Sequence, residues 1–152
     1  MSVELNKTAP DFTCIGSDNN IHSLSNYKGK NVVLYFYPKD NTPGCTTEAC
    51  SFRDSYEKFL NLDTIIIGVS KDSLTSHDKF ITKLGIPFLL LSDLDEKICK
   101  AYDVIKEKNM YGKKYMGIER STFIINKEGI LTHEFRKVKV KDHIEKVLEA
   151  LR

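Results

Sequence analysis

The chain has little of what would commit it to a membrane, a nucleic acid or an oxidising compartment. Its longest apolar stretches, such as Ile65 to Ile67, fall far short of the roughly 20 residues a bilayer-spanning helix needs. Met1 to Phe12 contains no basic segment followed by an apolar run, so nothing there reads as an export signal. Charge of one sign is not in excess: 23 Lys+Arg face 21 Asp+Glu for a net +2, which predicts no polyanion partner. The four cysteines, at 14, 45, 50 and 99, lack the density and regularity of a disulfide framework. They also contain no C-x-x-C ribbon, and no histidine among 22, 77, 133 and 143 stands at finger spacing, so a structural metal site is not expected. Repeats and low-complexity tracts are absent. These absences point to a reducing, cytoplasmic setting, where every free thiol is of interest.

At 152 residues the chain suits one domain, 1–152, able to bury roughly 70% of the surface its unfolded form exposes. Phe12–Ile15 and Asn20–His22 flank the turn formers Gly16-Ser17-Asp18-Asn19 and predict an N-terminal β-hairpin. The continuous apolar runs Asn31–Tyr37 and Thr64–Ser70 predict strands covered on both faces. Between them, Thr42-Pro43 reads as an N-cap followed by Pro at the first helical position, opening a helix through about Leu60. Ser73 opens a second helix that stops at Gly85; Phe88–Leu91 predicts a short strand and Asp95–Tyr102 a short helix. Lys106 to Gly117 reads as a polar, Gly- and Lys-bearing connection whose conformation is unreadable. Ser121–Asn126 and Ile130–Phe135 predict a hairpin, and Val140–Leu151 an amphipathic final helix. This order implies an α/β fold, a mixed central sheet flanked by helices.

The chemistry concentrates in Tyr37 to Asp54, where a buried strand hands over to a helix N-terminus and Cys45 is the third residue after the Thr42 cap. The first helical turn offers unpaired N–H groups and the positive end of the macrodipole, so a cysteine there is biased toward the nucleophilic thiolate. The carboxyl end of a strand is also the rim at which open α/β sheets place their sites, and a sulfur in this turn is expected to be exposed. Gly44 beside it would let a substrate approach. The spacing alone leaves open a plainer reading, in which Cys45 is a small buried hydrophobe in a turn. Pro38 as strand terminator and Thr42 as ordinary cap are equally plain. Glu48 reads as a charge complementing the helix dipole rather than a proton donor or acceptor, and Arg53 as an exposed helix cation ahead of a partner for a nearby carboxylate or a support for the thiolate. Cys14 and Cys99 read as packing residues, and the histidines as surface or capping residues.

Pro38, Thr42 and Cys45 stand in the P-x-x-x-T-x-x-C pattern of peroxiredoxins. With Cys50, GVSKDS, SHDKF, MYGKKYMGIERSTF and the VKV-x-x-H ending, nearly the whole chain resembles the bacterioferritin comigratory protein or PrxQ subfamily. Asp103 and Phe135 depart from it, standing where the family often has Gly and Trp. The resemblance implies a thioredoxin-like fold with an N-terminal extension, and a monomer that reduces peroxides without metal, haem or flavin. It implies roles for Cys45 as the peroxidatic sulfur, Thr42 as a hydroxyl binding sulfur and peroxide, Pro38 as a shield against water, and Arg120 as the cation. Thioredoxin or a similar dithiol is the implied electron donor. Two other functions compete: a thiol redox switch on the same scaffold, and a thioredoxin-like dithiol oxidoreductase. The latter is weakened because the helix start carries T-x-x-C rather than C-x-x-C.

Cys50 is the natural thiol to trap a sulfenic acid at Cys45 as a disulfide. Five residues along an intact helix separate Cα atoms by about 7.5 Å in rise and turn the side chains some 140° apart. A disulfide needs Cα atoms within about 7 Å and converging Cβ vectors. The helix start is therefore expected to unwind between the thiol and disulfide forms.

Overall fold

A computed structural model describes residues 3–152. Strands β1 (Thr13–Ile15) and β2 (Ile21–Ser23) form the N-terminal hairpin, followed by one 3₁₀ turn at Leu24–Tyr27. Strand β3 (Asn31–Phe36) leads into helices α1 (Pro43–Asp54) and α2 (Tyr56–Leu60). Then come β4 (Thr64–Ser70), α3 (Leu74–Leu84), β5 (Leu89–Ser92) and α4 (Lys97–Ala101). A second hairpin, β6 (Ile105–Met110) and β7 (Lys113–Ile118), precedes β8 (Ser121–Ile125), β9 (Leu131–Phe135) and α5 (His143–Leu151).

Runs dominated by apolar residues force β3, β4 and β8 to the middle of the sheet, where both faces are covered. The sheet order is β5-β4-β3-β8-β9, with β3 parallel to β4 and antiparallel to β8, so it is mixed as the run of elements implies. The pleat sorts β3 between two cores. Val32, Leu34 and Phe36 join the core beneath α4 and the N-terminal segment, with Phe12, Tyr102 and Phe123. Val33 and Tyr35, with Tyr37 just beyond the strand, join the core that packs α1, α3 and α5, with Phe52, Phe80 and Val147. Gly68 lets the second core close: a Cβ there would lie 2.7 Å from Leu90 and 3.0 Å from the Tyr35 ring. Helix α3 has the ends its sequence calls for, the Ser73 hydroxyl accepting from Ser76 N–H and Gly85 in the left-handed conformation.

Three expectations need correction. The helix opened by Thr42 does not run unbroken to Leu60; it stops at Asp54 and resumes at Tyr56, because Asp54 and Ser55 are weak helix-interior residues and Ser55 leaves the helical region. The unreadable stretch Lys106–Gly117 lies within the β6–β7 hairpin. Its mostly exposed strands carry no apolar alternation, and Tyr111 and Gly112 turn the chain with positive φ at both residues, a two-residue turn whose first residue is not the usual Asn or Asp. The last helix begins at His143 rather than Val140, after Asp142 in the left-handed region. Asp103, one of the departures from the family pattern, also has a positive φ of 54°, the conformation that favours Gly.

Candidate active site

The register of the central strands brings distant residues together. Ser121 pairs with Phe36 at the carboxyl end of β3, so Arg120 emerges beside the loop that carries Pro38 and Thr42 into α1. Pro43, Gly44 and Cys45 fill the first turn of that helix, with Thr42 in the extended conformation of an N-cap. Arg120 Nη2 donates to Cys45 Sγ at 3.3 Å, and Arg120 Nη1 to Glu48 Oε1 at 2.6 Å. One guanidinium thus spans the sulfur and a carboxylate one helical turn further on. Gly44 permits this approach, because a Cβ there would sit 3.1 Å from Arg120 Nη2. The space beside the sulfur expected to admit substrate is occupied by the guanidinium.

Cys45 is only 2% exposed, so the expectation of an uncovered sulfur is not met. Arg120 lies against it, and Ala49 and Val33 belong to the same core cluster. Thr42 holds the cap position without the side-chain cap bond; its hydroxyl instead donates to the Lys39 carbonyl at 2.8 Å. Pro38 is half-buried where β3 gives way to the loop. Cys50 is half-buried on the same unbroken helix as Cys45, and both are free thiols.

Glu48 also differs from its sequence reading. It is fully buried rather than a charge at the solvated helix start. Burial pushes its carboxyl up to about 7 against the opposing pull of the Arg120 charge and hydrogen bond. Its Oε2, like the Tyr35 hydroxyl, has no hydrogen-bond partner among the described residues. Burial first, then the charges of Glu48 and Cys45, hold the Tyr35 hydroxyl well above its ordinary range. Lys108 on β6 reaches the same region: burial and then the Arg120 charge lower its ammonium, while Cys45 acts in the opposite direction.

With this geometry, the chain matches the AhpC/TSA family over residues 5–134. It is 57% identical to peroxiredoxin Bcp of Bacillus subtilis over all of this chain and 97% of that one. The chain belongs to the peroxiredoxins. Among solved structures, a cysteine-to-serine mutant of Xylella fastidiosa PrxQ superposes with a TM-score of 0.93 at 42% identity, covering 99% of this chain and 96% of the other. A Xanthomonas campestris bacterioferritin comigratory protein, studied for alkyl peroxide reduction through trapped intermediate and ligand complexes, gives 0.88 at 48% identity, covering 92% and 89%. This peroxiredoxin therefore has the thioredoxin-like fold of its relatives and is a peroxidase-class oxidoreductase.

In this peroxiredoxin the remaining cysteines are packed. Cys14 Sγ donates to the Ser92 carbonyl at 3.3 Å, and burial with the nearby Asp93 and Asp95 charges pushes its thiol up to about 11. Cys99 is fully buried, and burial followed by the Asp93 charge raises it further. Two histidines contradict the surface reading. His143 is buried against the Thr122 hydroxyl at 2.8 Å and pushed down to about 4 by burial and by the Lys146 and Arg120 charges. His77 is buried against Asp40. Arg53 bonds Asp54 and also the Leu84 carbonyl. No local pattern marks the long-range pairings, since their partners lie 21 to 72 residues away.

Proposed function

We propose that this peroxiredoxin reduces hydrogen peroxide and organic hydroperoxides at Cys45, resolves the product with Cys50, and is recycled in the cytoplasm by thioredoxin or a similar dithiol. The observation that carries this reading is the Arg120 guanidinium on a cysteine at the third position of a helix. The fixed cation at the sulfur and the helix-start N–H groups are placed to stabilise charge that develops there during the reaction.

The thiolate attacks one peroxide oxygen in line with the O–O bond. That bond breaks, Cys45 becomes a sulfenic acid, and the other oxygen leaves as hydroxide or alkoxide and takes a proton. Arg120 holds charge that never titrates away in the working range, and the Glu48 carboxyl on Nη1 fixes the plane from which Nη2 reaches sulfur. The Thr42 hydroxyl, turned from the Lys39 carbonyl, donates to the peroxide. Pro38 limits water at the mouth of the site.

Next, the Cys50 sulfur attacks the sulfenic sulfur and water leaves, forming the disulfide. Both cysteines occupy α1, so this step requires the helix to unwind. Two thiol–disulfide exchanges with the external dithiol restore both thiols. Cysteine usage without a disulfide framework supports the cytoplasmic assignment, and the family resemblance supports a monomer. The test is peroxide-driven NADPH oxidation in the presence of thioredoxin and its reductase. Sustained consumption by the wild type and none by Cys45→Ser is expected; a wild type as inert as that variant overturns the proposal.

A further inference from the structure

The segment that must unwind is tied at both ends to one helix, α3. On the N-terminal side Asp40 is buried at 5% exposure. Its Oδ1 accepts from the Tyr37 hydroxyl, and its Oδ2 accepts from Ser76 Oγ at 2.8 Å and from His77 Nδ1 at 2.7 Å. Its backbone N–H donates to the Asp72 carboxylate at 2.8 Å. Next to it, Asn41 Oδ1 accepts from Lys83 Nζ at 2.8 Å. On the C-terminal side Arg53 Nη1 donates to the carbonyl of Leu84, the last residue of α3, at 2.6 Å. Ser76, His77, Lys83 and Leu84 thus hold residues 40, 41 and 53, with both cysteines between the ties.

The inner tie is the stronger. His77 Nε2 donates to the Leu91 carbonyl at 2.9 Å, so both ring nitrogens face acceptors, an arrangement that favours a charged ring opposite Asp40. Burial opposes that charge, while the Asp40 hydrogen bond and charge, the Leu91 carbonyl and the Asp72 charge together hold the imidazole above its ordinary range. Asp40, Asp72 and His77 bring possible metal-binding atoms within 4.8 Å of one another. The His77 nitrogens and the Asp40 oxygens already donate or accept hydrogen bonds, as does Asp72 Oδ2, so the cluster is a hydrogen-bonded anchor rather than a cation site.

We propose that His77 and Asp40 are positioning residues that restrain disulfide formation: they keep the loop before Cys45 on α3 while the helix between Asn41 and Arg53 unwinds. With both ends fixed, the unwound segment is a short closed loop with little conformational freedom, which favours the helical form. The anchor thereby sets how fast Cys50 captures the sulfenic acid relative to a second peroxide. That second peroxide transfers an oxygen to the sulfenic sulfur, giving the sulfinic acid and water or an alcohol. The inference rests on Cys50 as the resolving thiol.

The experiment exposes reduced full-length protein to rising hydrogen peroxide and uses mass spectrometry to find the concentration at which Cys45 divides equally between the Cys50 disulfide and the sulfinic acid. His77→Phe, which removes both donors, is expected to raise that concentration about fivefold, the scale of one lost buried hydrogen bond. Arg53→Met, which releases the outer tie from a more exposed position, is expected to raise it by a smaller factor. Ser76→Ala, which removes one donor to Asp40, is expected to raise it too and decides the matter if His77→Phe does not fold. A role for His77 in fold stability alone would lower the melting temperature and leave the partition unmoved. A partition unchanged or lowered in the folded variants, with the disulfide forming normally, overturns the anchor alone. Absence of the disulfide from the wild type as well overturns the resolving role of Cys50 and the anchor with it.

Discussion

Arg120 Nη2 lies 3.3 Å from Cys45 Sγ although 75 residues separate the two in the chain. The antiparallel pairing of β8 with β3 makes this meeting possible, and the Glu48 carboxyl on Nη1 fixes the guanidinium in its orientation. If that contact stabilises both the reacting sulfur and the departing oxygen, Arg120→Met should slow the first peroxide turnover about 100- to 1,000-fold, the cost of losing one preorganised donor. Stopped-flow mixing of reduced protein with peroxide measures this. A rate within a few-fold of wild type would remove Arg120 from the chemistry.

Gly44→Ala separates helix stability from reactivity. Alanine is the better helix former, and nothing in the backbone at position 44 demands glycine. Its Cβ would nevertheless press on Arg120 Nη2 at 3.1 Å. The expected result is an unchanged or higher melting temperature with a first turnover roughly tenfold slower. Equal rates would mean that the guanidinium yields without cost.

Glu48 gives this peroxiredoxin a stability slope with a definite sign. Its carboxyl is raised from 4.5 in the unfolded chain to about 7 in the fold, so its contribution is complete below pH 4.5 and is lost as pH rises through 7. Glu48→Gln cannot titrate and should gain stability relative to wild type across that window. His143, pushed down from 6.5 to about 4, acts oppositely: its contribution is complete above 6.5 and is lost as pH falls through 4. Because His143 is common to both proteins, the difference between their denaturation curves at pH values of about 4.5 and 7.5 isolates Glu48. Parallel pH profiles would contradict the buried ionisation described here.

Disulfide formation should be visible in the backbone. Thr46 to Arg53 lie within α1 and should exchange amide hydrogens slowly when the protein is reduced. After oxidation by peroxide the same amides should exchange quickly, because a Cys45–Cys50 bond cannot form on an intact helix. Equal protection in the two states would exclude the unwinding.

The sequence makes legible what depends on local pattern. The apolar runs of β3 and β4, the Ser73 and Gly85 ends around α3 and the apolar face of α5 follow from burial and capping. Thr42, Pro43 and Cys45 likewise announce a sulfur in a helix start. Arg120 is different, since nothing around it distinguishes a cation over a sulfur from a surface charge at a strand end, and only the family resemblance singles it out. Glu48, Lys108 and the His77–Asp40 pair are illegible because their roles arise from tertiary pairing between elements far apart in the chain. The burial of Cys45 is hidden from the sequence for the same reason: the group that covers it comes from the edge of another strand.

Peptide mapping after one equivalent of hydrogen peroxide tests the central claim most directly. Fully reduced protein is oxidised, its remaining thiols are alkylated, and the cysteine-containing peptides are identified. The predicted product is a Cys45–Cys50 disulfide, with the packed thiols of Cys14 and Cys99 recovered in alkylated form. Recovery of Cys45 as an unreacted thiol, whether the peroxide remains in solution or has oxidised Cys14 or Cys99, would contradict it.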